Sequence, residues 1–390
     1  MRKMVKVSLL RCEEYDAKMV KEKLREGLLN IGLDSSIFQG KKVVIKPNLL
    51  NASPAEKGVI THPEFFRAAV QIVKESGGIP LMVESPAFQP LAKVMKKTGY
   101  DRVVAEEGCS VADPKETAVL FYDGALKYKR FEVSRALFDA DVVVNLPKFK
   151  THSLTYITGA VKNHFGFISG LNKSQWHVRA PTKEQFSSLL LDLYESLLKG
   201  FEKPKRFIHM MDAITGLEGE GPGVSGRPRS IHAVLLGEDA VAVDCIAVHL
   251  VGLVAREART ITLGEERGLG TGSVAKIDLR GERLDGFFKG RYVPSSLGDH
   301  HPVSRWPMNT KTVKNLLIER PMPSAEKCTL CYQCKTICPG GAIETSRNTK
   351  IPLYNYDRCI RCYCCMEICP EAAISLKRGK LQWVLDILGK

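Results

Sequence analysis

Apolar positions along the first three hundred residues follow two periods. Short, nearly continuous apolar runs occur in MVKVSLLRC, KKVVIKPNLL, IPLMVESPA, DADVVVNLPKFK, RFIHMMDAI and HAVLLGED. Such runs suit strands buried on both faces. Between them, DAKMVKEKLREGLLNIGL, HPEFFRAAVQIVKESGG, PLAKVMKKTGY, FSSLLLDLYESLLKGF and VAVDCIAVHLVGLVARE carry apolar residues at helical spacing. Asp16 is placed to cap the first helix, and Pro63 with the Gly77-Gly78 pair brackets the second. The alternation predicts an α/β class over residues 1–305: a largely parallel sheet covered by helices. Residues 296–325 lack period for much of their length and are rich in Pro, His, Ser and basic residues. Their second part, 306–325, is read as a linker. LQWVLDILGK, within 379–390, predicts a C-terminal helix that docks through Trp383.

Between linker and terminal helix, cysteine replaces period as the signal. Cys328-x2-Cys331-x2-Cys334-x3-Cys338-Pro339 is followed 31 residues later by Cys359-x2-Cys362-x2-Cys365-x3-Cys369-Pro370. This is the ligand run of a two-cluster bacterial ferredoxin, in which each fourth cysteine serves the other cluster. Residues 326–378 therefore read as a small α+β ferredoxin-like domain with two [4Fe-4S] clusters. Cys328, Cys331, Cys334 and Cys369 are expected on cluster 1, and Cys359, Cys362, Cys365 and Cys338 on cluster 2. Cys364 lies opposite Gln333 in the repeat and is the odd thiol. A zinc site favours two CxxC pairs with a longer spacer, and a disulfide framework belongs to small secreted chains.

Composition adds boundaries. The 390 residues are 44% hydrophobic and 26% charged, ordinary for a globular protein. Neither a signal peptide nor an apolar stretch long enough for a membrane span is found, so a cytoplasmic, reducing and oxygen-poor setting is expected. The formal charge is +14. Two oxidised clusters with eight thiolates remove about four charges, counting each core as +2. A basic holoprotein suits an acidic redox partner protein or an anionic small molecule. Basic residues are interleaved with acids, with no long run of the kind that marks a nucleic-acid site.

In open parallel sheets, ligands gather beyond the carboxyl ends of the strands. Polar residues are expected at four such ends: Lys46-Pro47-Asn48, Glu84-Ser85-Pro86, Asn145-Leu146-Pro147-Lys148 and Asp212. The stretch 145–170 concentrates Lys148, Lys150, His152, Lys162, Asn163 and His164 among small residues, a composition able to hold phosphate or carboxylate. A histidine metal site through His62, His152 and His164 is a weaker alternative. Asp212–Gly223 reads as a flexible acidic loop offering Asp212, Glu218 and Glu220 to a divalent cation or substrate. Gly221-x-Gly223-x-x-Gly226 matches a dinucleotide fingerprint in letters only, because Pro222 interrupts it and no helix opens within it.

The segments IKPN, THP, NLPKFKTH, TGAVKNHFG, DAI with EGEGPG, and EDAVAVD together resemble the family called domain of unknown function 362. Its members often carry a C-terminal ferredoxin module and are described as iron–sulfur cluster-binding proteins. The resemblance spans residues 1 to about 280 and implies no settled substrate. It maps family-typical polar positions onto Lys46, Asn48, His62, Lys148, His152, Lys162, Asn163, Asp212, Glu218 and Asp244. The leading functional expectation is an iron–sulfur oxidoreductase passing electrons to an anionic substrate or cofactor held by Lys46, Asn48, Asn145, Lys148, His152, Lys162, Asn163, Asp212 and Glu218. A non-enzymatic electron-transfer subunit and a metal-centre maturation factor are the alternatives.

Overall fold

A computed structural model describes residues 4–87, 89–170, 172–295, 315 and 319–377. The N-terminal region alternates strands and helices. They run β1 (Val5–Arg11), α1 (Ala17–Asn30), β2 (Lys42–Lys46), α2 (Pro63–Glu75), β3 (Ile79–Met82), α3 (Leu91–Thr98), α4 (Tyr100–Glu107) and β4 (Ser110–Val111). A separate hairpin, β5 (Thr117–Phe121) and β6 (Arg130–Ser134), precedes α5 (Ala136–Asp139). The chain continues through β7 (Val142–Asn145), β8 (Lys148–His152), β9 (Tyr156–Thr158), α6 (Ala160–Asn163), α7 (Asn172–Arg179) and α8 (Lys183–Lys199). It ends with β10 (Arg206–Gly219), β11 (Gly226–Gly237), α9 (Ala240–Leu250), α10 (Arg259–Glu266) and β12 (Ile277–Gly281).

The main sheet has the order β12-β1-β11-β10-β7-β2-β3-β4. From β10 to β4 every pairing is parallel. β11 pairs antiparallel with both β10 and β1, so it alone on this path runs against the rest. The α/β class is as expected. The period-2 pleat divides the core between two faces. Val43, Ile45, Val142 and Val144 pack with Leu24, Phe65, Phe66 and Val70 of α1 and α2. Val44 and Val143 pack the opposite way, with Leu190, Leu193, Val243 and Ile246 of α8 and α9. Asp16 accepts from Met19 N–H as the cap of α1, and Pro63 opens α2 behind a His62 cap.

Three expectations change. DADVVVNLPKFK is two strands, because Pro147 sits between β7 and β8. Asp212 does not end a strand, and Asp212–Gly223 is not a loop over most of its length. β10 continues to Gly219 through a register break between Ala213 and Thr215. Gly221, Gly223 and Gly226 then turn the chain into β11, a hairpin rather than a phosphate loop.

The C-terminal module contains β13 (Arg320–Pro323), α11 (Gln333–Ile337), β14 (Ile343–Glu344), β15 (Leu353–Tyr354), α12 (Cys364–Ile368) and β16 (Ile374–Lys377). β13 pairs with β16 and β14 with β15. β13 falls within the stretch read as linker, so the module begins earlier than residue 326. The rest of 306–325, apart from Asn315 and Glu319, and the terminal helix at 379–390 lie outside the described residues.

Candidate functional site at the carboxyl edge

The parallel strands bring most of the expected polar residues to one edge, where they separate into two groups. The first is a closed knot. Lys148 opens β8, and its Nζ lies 2.9 Å from Asp212 Oδ2 and 2.6 Å from the Tyr15 hydroxyl. Tyr15 donates to Asp212 Oδ1 at 2.9 Å, and His62 N–H donates to Oδ2 at 2.9 Å. The His62 ring stacks on Tyr15 with centroids 3.8 Å apart. Lys148 and Asp212 side chains are 1% and 0% exposed, so the pair is fully desolvated. Burial lowers the Lys148 pKa, and Asp212 opposes that shift. Both charges are satisfied from within, which leaves Lys148 no capacity for an anion.

The second group surrounds three amides. Asn163 Nδ2 donates to Asn145 Oδ1 at 2.7 Å, and Asn48 Nδ2 donates to Asn163 Oδ1 at 2.9 Å. Asn145 in turn donates to Ala160 O at 3.0 Å. Lys150 donates to Asn48 Oδ1 at 2.8 Å and to Val59 O at 2.7 Å. Lys46, at the end of β2, meets Glu84 Oε2 at 2.7 Å. Gly166 leaves room for this lysine, because a Cβ there would displace the Lys46 ammonium. Asp244 belongs to the fold rather than the site: it accepts from Ala160 and Val161 N–H at the start of α6. Burial pushes its carboxyl up to about 7.

Lys162 differs from these. Among the described residues, no hydrogen bond or ion pair engages its ammonium, which lies 4.9 Å from the Phe165 ring centroid. Beside it Lys173, from α7, reaches the Ser85 carbonyl oxygen. Burial lowers the Lys162 pKa and pulls Lys173 down to about 7. The two lysines line a pair of adjoining cavities that share Leu50, Ala87 and Phe165. One lobe reaches Lys46, Glu84, Thr158 and Asn163. The other is closed by Ile337, Cys364, Glu367 and Ile368 of the C-terminal module.

The module thus seats directly on the sheet edge. Ile337, Cys364 and Ile368 form an apolar patch against Ala87. His152 Nδ1 accepts from Leu154 N–H at 3.0 Å, so the ring proton sits on Nε2, 3.5 Å from Glu367 Oε1. Burial holds the His152 pKa well below the ordinary value, so this approach is not an ion pair. Burial also raises the Glu367 pKa, against the attraction of Lys162 and Lys150.

Not every expected residue joins the cluster. Glu218 is drawn away: Arg227 and Arg229 hold its two oxygens, and Val293 N–H donates to it. Glu220 accepts from Ser295. The three histidines do not converge: His62 caps α2, His152 faces the module, and His164 lies among Tyr194, Phe207 and His209. Lys150 and Glu84 stood in the sequence stretches noted but were not placed in the site. Lys173 was missed, and a lone lysine in a polar helix carries no signal of burial.

Within the module, Cys328, Cys331, Cys334 and Cys369 line one cavity together with Tyr332 and Tyr354. The neighbours that raise the Cys338 pKa after burial include Cys362 and Cys359 of the second run. Corresponding positions of the repeat share an uncommon backbone: Leu330, Tyr332, Arg361 and Tyr363 have φ of 56°, 57°, 61° and 61°. Left-handed residues in such loops turn successive N–H groups inward, forming concave sites for anionic sulfur. Ala342 N–H donates to Cys338 Sγ and Ala373 N–H to Cys369 Sγ, each at 3.3 Å. These donors fit thiolates that carry the negative charge of an iron–sulfur centre. Cys364 packs with Ile337 and Ile368, and its thiol lies against Cys362.

Fold and cysteine loops define an iron–sulfur protein built on an α/β domain. The family model called domain of unknown function (DUF362) matches residues 43–249, and a 4Fe-4S dicluster domain matches 321–370. The chain belongs to the domain of unknown function (DUF362) family. A thylakoid-associated protein of Synechocystis sp. is 30% identical over 265 residues, covering 67% of this chain and 79% of that protein. A crystal structure of a Thermotoga maritima protein aligns with TM-score 0.39 and 14% identity, covering 66% of this chain and 60% of the other. The lactate racemase apoprotein of Thermoanaerobacterium thermosaccharolyticum aligns with TM-score 0.37 and 15% identity, over 62% and 56% respectively. Among the described residues, no helix is long and apolar enough to cross a membrane.

Proposed function

We propose that the protein is an iron–sulfur oxidoreductase serving a small anion held where the two domains meet. Cys328, Cys331, Cys334 and Cys369 would hold one [4Fe-4S] cluster, and Cys359, Cys362, Cys365 and Cys338 a second. Such clusters supply one-electron transfer when bound. The observation that carries the reading is the shared cavity wall, with Lys162 and Lys173 on the α/β side and Cys364, Glu367 and Ile368 on the module side. The module closes over two lysines that have no ion-pair partner among the described residues. On its outer side Cys331 is exposed, near exposed Lys327 and Lys335, which suits an acidic donor protein.

Anaerobically purified protein is expected to contain about eight iron and eight sulfide per chain. Cys362→Ser should lose or convert one cluster, whereas Cys364→Ser should leave the count intact. About four iron, or tightly held zinc, would contradict the two-cluster assignment. Calorimetric titration with acetate and inorganic phosphate tests the anion site. Heat that persists undiminished in both Lys162→Met and Lys173→Met would place anion binding elsewhere.

A further inference from the structure

We propose that the adjoining lobes form one site for a short-chain carboxylate, its head between Lys162 and Lys173 and its apolar tail directed toward the C-terminal module. This rests on the reading of the cavity as an anion site and specifies what that anion is.

The two lobes differ in lining. Around the lysines the first lobe offers Thr158 and Asn163, while Lys46 there is already neutralised by Glu84. The second lobe adds an apolar wall of Leu50, Phe165, Ile337 and Ile368, with Glu367 and His177 as its polar residues beyond the lysines. Each lobe measures about 70 Å³. At roughly 10–15 Å³ per water-sized position, the pair holds on the order of ten non-hydrogen atoms. That volume suits a carboxylate with a short chain.

Three buried polar atoms that line the lobes have no hydrogen-bond partner: Thr158 Oγ1 in the first, and His177 Nδ1 and Glu367 Oε1 in the second. Buried polar atoms are nearly always satisfied, so an orphan in each lobe signals a ligand or bound water that completes them. A carboxylate satisfies the first lobe because its two oxygens can accept from Lys162, Lys173 and the Thr158 hydroxyl together. Inorganic phosphate could accept from the same donors, but it would leave the apolar wall without a partner. An acyl tail covers that wall and gains from leaving water.

The test uses the anaerobic full-length holoprotein, with acetate, butanoate, hexanoate, decanoate and inorganic phosphate as calorimetric probes. Affinity is expected to rise about fourfold per methylene, the equivalent of a buried CH₂, until the lobe is filled. It should then fall for decanoate. Ala87→Leu adds bulk to the shared wall and should remove the advantage of hexanoate while sparing acetate. Lys173→Met should weaken every carboxylate by at least tenfold. Iron content and melting temperature report folding, and Lys162→Met gives the same reading if Lys173→Met does not fold. Flat affinity along the series, or phosphate binding as tightly as hexanoate, would overturn the carboxylate assignment and leave an anion site. No binding of any probe would overturn both.

Discussion

Two lysine-bearing groups share one sheet edge and solve burial in opposite ways. Lys148 is locked between Asp212 and Tyr15, each charge answered by a partner less than 3 Å away. Lys173 is buried and Lys162 half-buried, yet among the described residues no carboxylate binds either ammonium directly. The difference separates architecture from chemistry. A neutralised pair holds β8, β10 and the loop after β1 together. Uncompensated ammonium groups beside a cavity are costly in an empty site and become favourable when an anion enters.

The sharpest way to break this comparison is to remove one member of each group. Asp212→Ala strands the Lys148 charge in the interior and leaves the Tyr15 hydroxyl and His62 N–H without their acceptor. A loss of about 3–5 kcal/mol is expected, the usual cost of breaking a buried ion pair from one side. Lys162→Met removes a half-buried charge with no ion-pair partner among the described residues, so stability should change by less than about 1 kcal/mol or increase. Urea unfolding of both variants at pH 7 checks the difference. Equal losses would mean that Lys162 is structural as well.

The sequence reveals the edge but not its division. Strand–helix alternation and polar residues after β2, β3 and β7 place Lys46, Glu84 and Asn145 together, because parallel strands end on one side. Lys148 looks like Lys162 in sequence, since each precedes or follows ordinary apolar residues. What separates them is Asp212, 64 residues away from Lys148 and brought beside it only by β10–β8 pairing. Glu218 shows the same limit. Its pairing with Arg227 and Arg229 follows from the β10–β11 hairpin, which glycine-rich spacing disguised as a flexible loop. The cysteine repeat was legible in full because a cluster loop is local. How the module sits on the edge was not, because Ala87 meets the patch of Ile337, Cys364 and Ile368 only when the two domains come together.

The pH dependence of anion binding sharpens the contrast further. Burial lowers Lys173 from 10.5 to about 7, with Glu84 opposing and Lys46 and Lys162 adding to the shift. Between those values the unfolded chain binds more protons at this group than the folded one. The group therefore makes stability rise with pH from about 7 to 10.5 and contributes no slope below. Anion binding favours the protonated form, so it should be strongest below pH 7 and weaken as pH rises through it. The slope should approach tenfold per unit, taken up as a proton on binding. Calorimetry in buffers of different ionisation enthalpy measures that proton uptake. Lys148, already paired, should add no such dependence, and binding that strengthened above pH 8 would contradict the role given to Lys173.

The smallest expected effect is electrostatic and separates the two cysteine sets. Lys162 lines the lobe closed by Cys364, whose neighbours Cys362 and Cys365 belong to the second run. The cavity lined by Cys328, Cys331, Cys334 and Cys369 includes no residue of the α/β domain. A positive charge in a low-dielectric site stabilises a nearby added electron, so Lys162→Met should lower the midpoint potential of the cluster proposed for Cys362. The shift should be on the order of tens of millivolts, with the other cluster moving less. Binding of a carboxylate neutralises the same charge and should lower the same potential. By reciprocity, reduction then weakens carboxylate affinity by the matching factor. Redox titration of the full-length holoprotein by electron paramagnetic resonance, with and without butanoate, measures both shifts. If Lys162→Met moved both clusters equally, or neither, the lysine field would not be local to the cavity and the contrast with the Lys148 knot would lose its redox meaning.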